Sequence, residues 1–125
     1  MNAANSPEEL EDLVARYARA GDLDAWLSLY EPSATCLNGD GDLVRGADAL
    51  RENLAPFAAL KPEFVMKIKI VGAGDIALIH NQWEDAAQSM SGYAIEVARR
   101  QPDGTWRFVI DDLFTIDNRL RAITP

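Results

Sequence analysis

A chain of 125 residues can bury one core and is too short for several domains, so residues 1–125 are expected to form a single domain. Twenty acidic side chains against twelve basic ones leave a formal charge of −8, which opposes binding to phosphate backbones and anionic lipid surfaces. No apolar run reaches the roughly 18 residues of a membrane span, MNAANSPEEL lacks the basic and apolar regions of a secretory signal, and Cys36 stands alone. These features predict a cytoplasmic protein with no nucleic-acid partner and no membrane partner.

Ser6-Pro7-Glu8-Glu9 predicts a helix start, with Ser6 as cap, Pro7 at the first helical position and Glu9 completing a capping box. Leu10, Leu13, Val14, Tyr17 and Ala18 then recur at helical spacing. Gly21 ends that helix, and Asp22 caps a short second one, Leu23 to Tyr30. EPSATCLNGDGDLVRG predicts a strand over Ala34 to Asn38, a Gly/Asp turn and a second brief extended piece. A third helix is expected from Ala47 to Ala59, loosened in its last turn by Pro56, which has no backbone donor.

After Pro62 the period changes to two. Phe64, Met66, Ile68 and Ile70 alternate with Val65, Lys67 and Lys69. VGAGD turns the chain into DIALIHNQWED, where Ile76, Leu78, His80 and Gln82 share one side and Ala77, Ile79, Asn81 and Trp83 the other. Both sides are largely apolar, so this strand is expected to be covered on both faces. SGYAIEVARR and TWRFVIDDLF follow, joined at the hairpin turn QPDG. In the last strand Trp106, Phe108, Ile110, Asp112 and Phe114 alternate with Arg107, Val109, Asp111 and Leu113. Helices first and an antiparallel sheet afterwards make an α+β layout with the helices on one face.

Several local matches fail for lack of context. GAGDIA fits a dinucleotide-binding pattern but is followed by a strand rather than a helix. NGDGDL has Leu43 where a calcium loop needs its glycine and Ala49 where it needs its glutamate. His80 is the single histidine, which argues against a zinc site and leaves a Ser-His-Asp triad without a serine elbow. Cys36 reads as a small core residue. No metal and no cofactor are expected.

The strings ARAGDLDAWLSLYEPSATCLNGDGDLVRGADALRENLAPF, GDIALIHNQWE and EVARRQPDGTWRFVIDD resemble the nuclear-transport-factor-2-like superfamily, most closely its SnoaL-like and SgcJ/EcaC-like small proteins. The resemblance covers most of the chain. It implies a cone-shaped (cystatin-like) α+β fold, three N-terminal helices packed on a curved antiparallel sheet, with a pocket between them. It also implies a homodimer through the outer sheet face. Ile79, Trp83, Ala94, Ala98 and Val109 are expected to form that outer patch, with Glu96 and Arg107 pairing in or across it. Against ketosteroid isomerase, the best-known relative, the match through AGDLD puts Asn38 at the proton-shuttling aspartate and Val14 at the oxyanion-hole tyrosine. Steroid isomerisation by the same residues is therefore disfavoured. The acid/base aspartate of SnoaL-like cyclases lands on Asp112 or Asp111.

Joining these faces, His80 and Asp112 are the expected catalytic acid/base pair. Tyr17, Trp26, Asn38, Met66, Trp106 and Phe108 are the expected ligand contacts. Asp111 is read as a solvent or interface carboxylate, and Tyr30 and Phe57 as core. The expected partner is a small apolar ligand bearing a carbonyl. Three functional readings stand side by side: a cofactor-free isomerase or cyclase-like enzyme, a non-catalytic binding protein, and a dimeric assembly domain.

Overall fold

The computed structural model describes residues 3–38 and 40–113. Helix α1, Pro7–Ala20, begins as its sequence dictates, the Ser6 hydroxyl accepting the Glu9 N–H at 3.2 Å. The Glu9 carboxylate reaches back to the Asn5 N–H at 3.2 Å, one residue beyond the partner a capping box would give it. At Gly21 the backbone turns left-handed, with φ 68°. Helix α2 is only Leu23–Leu27, shorter than expected. It stops because the Leu29 carbonyl is taken by the Phe108 N–H at 2.8 Å, so strand pairing replaces the helical ladder.

Strand β1 is Tyr30–Leu37 and β2 is Leu43–Arg45. Helix α3, Ala47–Leu60, passes through Pro56 and one residue beyond the expected end. Strands β3, Val65–Ala73, β4, Ile76–Asp85, β5, Met90–Arg100, and β6, Trp106–Asp112, complete one six-stranded sheet in the order β2-β1-β6-β5-β4-β3. The curved sheet carries the three helices on one face, giving the α+β cone expected from the sequence. One pairing departs from the expected antiparallel sheet: β1 and β6 run parallel. Those two strands are joined through the rest of the chain rather than by a hairpin, so nothing forces them to oppose. Among the described residues no helix is long and apolar enough to cross a membrane.

Face assignments on β4 and β6 position the site. On β4, Ala77, Ile79, Asn81 and Trp83 are buried towards the helices, whereas Ile76 and Leu78 are 40% and 36% exposed on the other face. The strand is therefore covered on one face, not two. On β6 the register slips: Ala98 pairs with Phe108 but Val97 pairs with Ile110, leaving Val109 as an extra residue. This β-bulge inverts the alternation beyond it, so Phe108 and Asp111 both point inward and Asp112 points outward. The expected dimer patch falls with the same correction. Ile79, Trp83, Ala94, Ala98 and Glu96 are buried under the helices, and the exposed apolar side chains on the outer face include Val65, Val71, Ile76, Leu78 and Ile110.

Opposite Trp83 lies Gly92, where a Cβ would come within 2.6 Å of the indole. The glycine is required by this close approach and lets the indole lie across β5, its N–H donating to the Leu113 carbonyl at 3.2 Å.

Candidate functional site

Five elements bring polar side chains to one place beneath the helices. Glu11 comes from α1, three residues before Val14 and seven before Ala18, hence on that helix's apolar stripe. Tyr30 opens β1, Asn81 lies mid-β4, and Glu96 on β5 stands directly opposite Asp111 on β6. All five are buried. The Asn81 amide donates to Glu11 Oε2 at 2.7 Å, and the Tyr30 hydroxyl donates to Asp111 Oδ2. Glu96 sits between the other two carboxyls and hydrogen-bonds to both. The result is a continuous row: Asn81, Glu11, Glu96, Asp111, Tyr30.

Three carboxyl groups in contact and away from water cannot all ionise. Burial, followed by the charge of Asp111, raises Glu11 to about 7 against the pull of its hydrogen bonds. Burial lifts Asp111 to about 6, its bonds from Tyr30 and Glu96 opposing the rise. Glu96, with carboxyls on both sides, is pushed well above the ordinary carboxylate range, by burial first and then by Glu11 and Asp111. Burial next to Asp111 likewise raises the Tyr30 hydroxyl. At neutral pH the central Glu96 is thus a proton donor, and Asp111 carries most of the negative charge.

The row borders a cavity of about 30 Å³, completed by Trp26, Phe57, Phe64, Met66 and Trp83. Its aromatic wall is ordered edge to face: Trp83 stands 5.3 Å from Phe64, and Phe64 6.2 Å from Trp26. Glu11 Oε1, Asn81 Oδ1, Glu96 Oε1, Asp111 Oδ1 and Trp26 Nε1 are buried with no hydrogen-bond partner among the described residues. A cavity of this size admits a water or the polar head of a ligand, not a whole polyketide. Among the described residues no group of three or more His, Cys, Asp or Glu side chains is arranged to hold a metal ion.

The sequence-predicted residues divide sharply. Trp26 and Met66 line the cavity. Tyr17 is buried on α1 and Phe108 packs under Tyr30 at 5.1 Å, both in the core without lining the cavity. Trp106 is half-buried at the core edge, where its backbone bridges Ala4. Asn38 serves its own turn, its side-chain oxygen accepting the Asp40 and Asp42 N–H groups at 3.0 and 2.9 Å.

His80 faces away from the cavity, half-buried on the outer sheet face beside Lys69 and Ile95, with the Tyr93 ring 6.3 Å away. Asp112, opposite Ile95, lies on that same outer face. The pair does share a face, as expected, but it is the wrong one. On β4 the two candidate faces looked alike, and on β6 the bulge reversed the alternation. Asp111, read as a surface carboxylate, is the buried one, and Tyr30 and Phe57 line the cavity. Phe114 lies outside the described residues. Glu11, Asn81 and Glu96 were missed, though a signal existed: Glu11 interrupts an apolar helical stripe, and Glu96 stands between Ala94 and Ala98 on one strand face.

A family model described as the SnoaL-like domain matches residues 10–120. No curated protein matches the chain by sequence. Among solved structures, it is similar to an NTF2-like protein of unknown function from Shewanella oneidensis, at 18% identity and TM-score 0.69, over 84% of this chain and 93% of that one. A candidate dehydratase of the NTF2-like family from Streptomyces avermitilis aligns at 15% identity and TM-score 0.66, over 84% and 89%. A candidate ketosteroid isomerase from Parabacteroides distasonis aligns at 18% identity and TM-score 0.65, over 85% and 84%. At these identities the likeness is one of fold.

Proposed function

This chain belongs to the SnoaL-like domain family, and from that premise and the buried carboxyl row we propose that it is a cofactor-free acid/base protein acting on a small carbonyl compound. The observation that carries the reading is Asp111. Its Oδ2 is held by Tyr30, its Oδ1 has no partner among the described residues, and the residue borders an aromatic cavity. A carboxylate anchored through one oxygen and free at the other is suited to remove a proton from carbon next to a carbonyl. The Trp26 N–H supplies a donor for the oxygen that gains charge. The neighbours described as a candidate isomerase and a candidate dehydratase are compatible with such proton transfer.

The sequence-based pair His80 and Asp112 has no part in this reading. Trp26 and Met66 remain its apolar contacts. The outer face, with Val71, Leu78 and Ile110 exposed, is assigned to a homodimer contact.

The experiment is solvent-deuterium exchange at the carbon next to the carbonyl in small ketones such as 2-butanone, followed by proton NMR. The protein should accelerate exchange, Asp111→Asn should abolish that acceleration, and Asp112→Asn should leave it within about twofold. No acceleration by the parent protein, or equal loss in both variants, would remove the proposal. Binding of the ketone without exchange would favour the non-catalytic ligand-binding role.

A further inference from the structure

We propose that the cavity is built for a primary ammonium group, so that the ligand class is a small organic amine in its protonated form. The inference rests on the reading of this cavity as the ligand site, and narrows the proposed carbonyl substrate to one that also carries a protonated amine.

The unsatisfied polar atoms carry the argument. On the described residues that line the cavity four are acceptors, Glu11 Oε1, Asn81 Oδ1, Glu96 Oε1 and Asp111 Oδ1, and one is a donor, Trp26 Nε1. The proton held by Glu96 is committed to its contacts with Glu11 and Asp111. Leaving buried acceptors unmade is expensive, and the partner that would satisfy several at once is rich in donors. A carbonyl offers acceptors only, and a hydroxyl offers one donor. An alkylammonium offers three and no acceptor, the inventory that these residues lack.

Charge and shape point the same way. Among the described residues no Lys, Arg or His lines the cavity, so the residual charge of the row has no counter-ion among them. A cation would supply one, whereas a carboxylate or phosphate ligand would add like charge in a poorly screened place. The facing wall carries Trp26, Phe57, Phe64 and Trp83, whose ring faces attract a cation. About 30 Å³ accepts an ammonium head and leaves the rest of the ligand to displace side chains or lie outside.

A cation seated among these groups favours their ionised forms, so binding should expel protons. The titratable groups facing or neighbouring the row are Glu11 and Asp12 on α1, Tyr30 and Cys36 on β1, Glu96 on β5, and Asp111 and Asp112 on β6. From β4 the row receives the neutral Asn81.

The test is titration calorimetry of the full chain near about pH 6.5 at physiological salt, in two buffers of different ionisation enthalpy. The probes are n-butylammonium, 2-butanone and butanoate. Butylammonium should bind roughly tenfold or more tightly than 2-butanone, with net proton release, and butanoate should not bind. Asp111→Asn and Glu96→Gln, each checked for native circular dichroism, should lose that preference. If one fails to fold, the other decides; if both fail, the parent's proton release decides. Ketone binding equal to or tighter than amine binding overturns the inference and leaves the proposed function standing. Amine binding without proton release, or unchanged in a folded variant, marks surface ion exchange and also overturns it. No binding of any probe overturns both.

Discussion

Glu11→Gln should make the protein more stable at alkaline pH and leave it almost unchanged in acid. In the folded chain Glu11 titrates at about 7 instead of the ordinary 4.5, so the native state holds its proton more tightly than the unfolded state. The stability this contributes is complete below about pH 4.5 and is lost as pH rises through 7. At about 1.4 kcal/mol for each tenfold in proton affinity, ionising Glu11 in place costs roughly 3 kcal/mol. Glutamine never ionises. Its carbonyl can accept from Asn81 Nδ2 as Glu11 Oε2 does, and its amide can donate to Glu96. Near pH 8.5 the variant should therefore gain up to roughly 3 kcal/mol, or about 1–2 M in the urea midpoint. Near pH 4.5 the two proteins should unfold together. The assay is urea unfolding followed by tryptophan fluorescence at both pH values. Removing the Glu11 charge also relieves Glu96, which reinforces the gain. An equal change in midpoint at both pH values, of either sign, would refute the reasoning, because it would mean that Glu11 is not a buried group held protonated by its surroundings.

Two further outcomes follow from the placement of the outer face. His80→Ala should leave binding and exchange of small ketones within about twofold of the parent, because the ring lies across the sheet from the cavity; a loss of more than about tenfold, or 1.4 kcal/mol, would restore the histidine to the site. Leu78→Glu together with Ile110→Glu should give a monomer mass in sedimentation where the parent gives a dimer, since both side chains stand exposed on that face; a parent already monomeric would remove the homodimer.

The fold was legible because its two periodicities do not overlap. Leu10, Leu13, Val14 and Tyr17 specify one buried helix face, and Ser6 and Gly21 punctuate it. The alternation after Pro62 specifies strands, and the boundaries of α1 and α3 shift by a residue at most from those the sequence suggests. The parallel β1–β6 pairing was not legible, since strand direction across a sheet depends on long-range closure rather than on local pattern. Nor was the inner face of β4. With Ile76 and Leu78 on one side and Ala77 and Ile79 on the other, hydrophobicity does not choose, and the choice is made by what Trp83 and Asn81 meet across the cavity.

The candidate site turned on two kinds of residue that pattern reading treats as noise. One is the extra residue Val109: had β6 alternated without it, Asp112 would point inward as expected, although His80 would still lie on the outer face. The other is a charge in an apolar register, as at Glu11 and Glu96. A carboxyl on a buried stripe looks like a mistake in the pattern, yet replacing such a group by an apolar side chain of similar size is often neutral or stabilising. Three carboxyls placed together, each retaining an unpartnered oxygen, therefore work against the stability of the fold rather than for it. Their cost is offset in part by the proton they share and by the bonds from Tyr30 and Asn81. What remains unoffset are the oxygens on residues bordering the cavity, and unsatisfied buried polar groups of this kind are the places where a fold gives up stability for a ligand or a reaction.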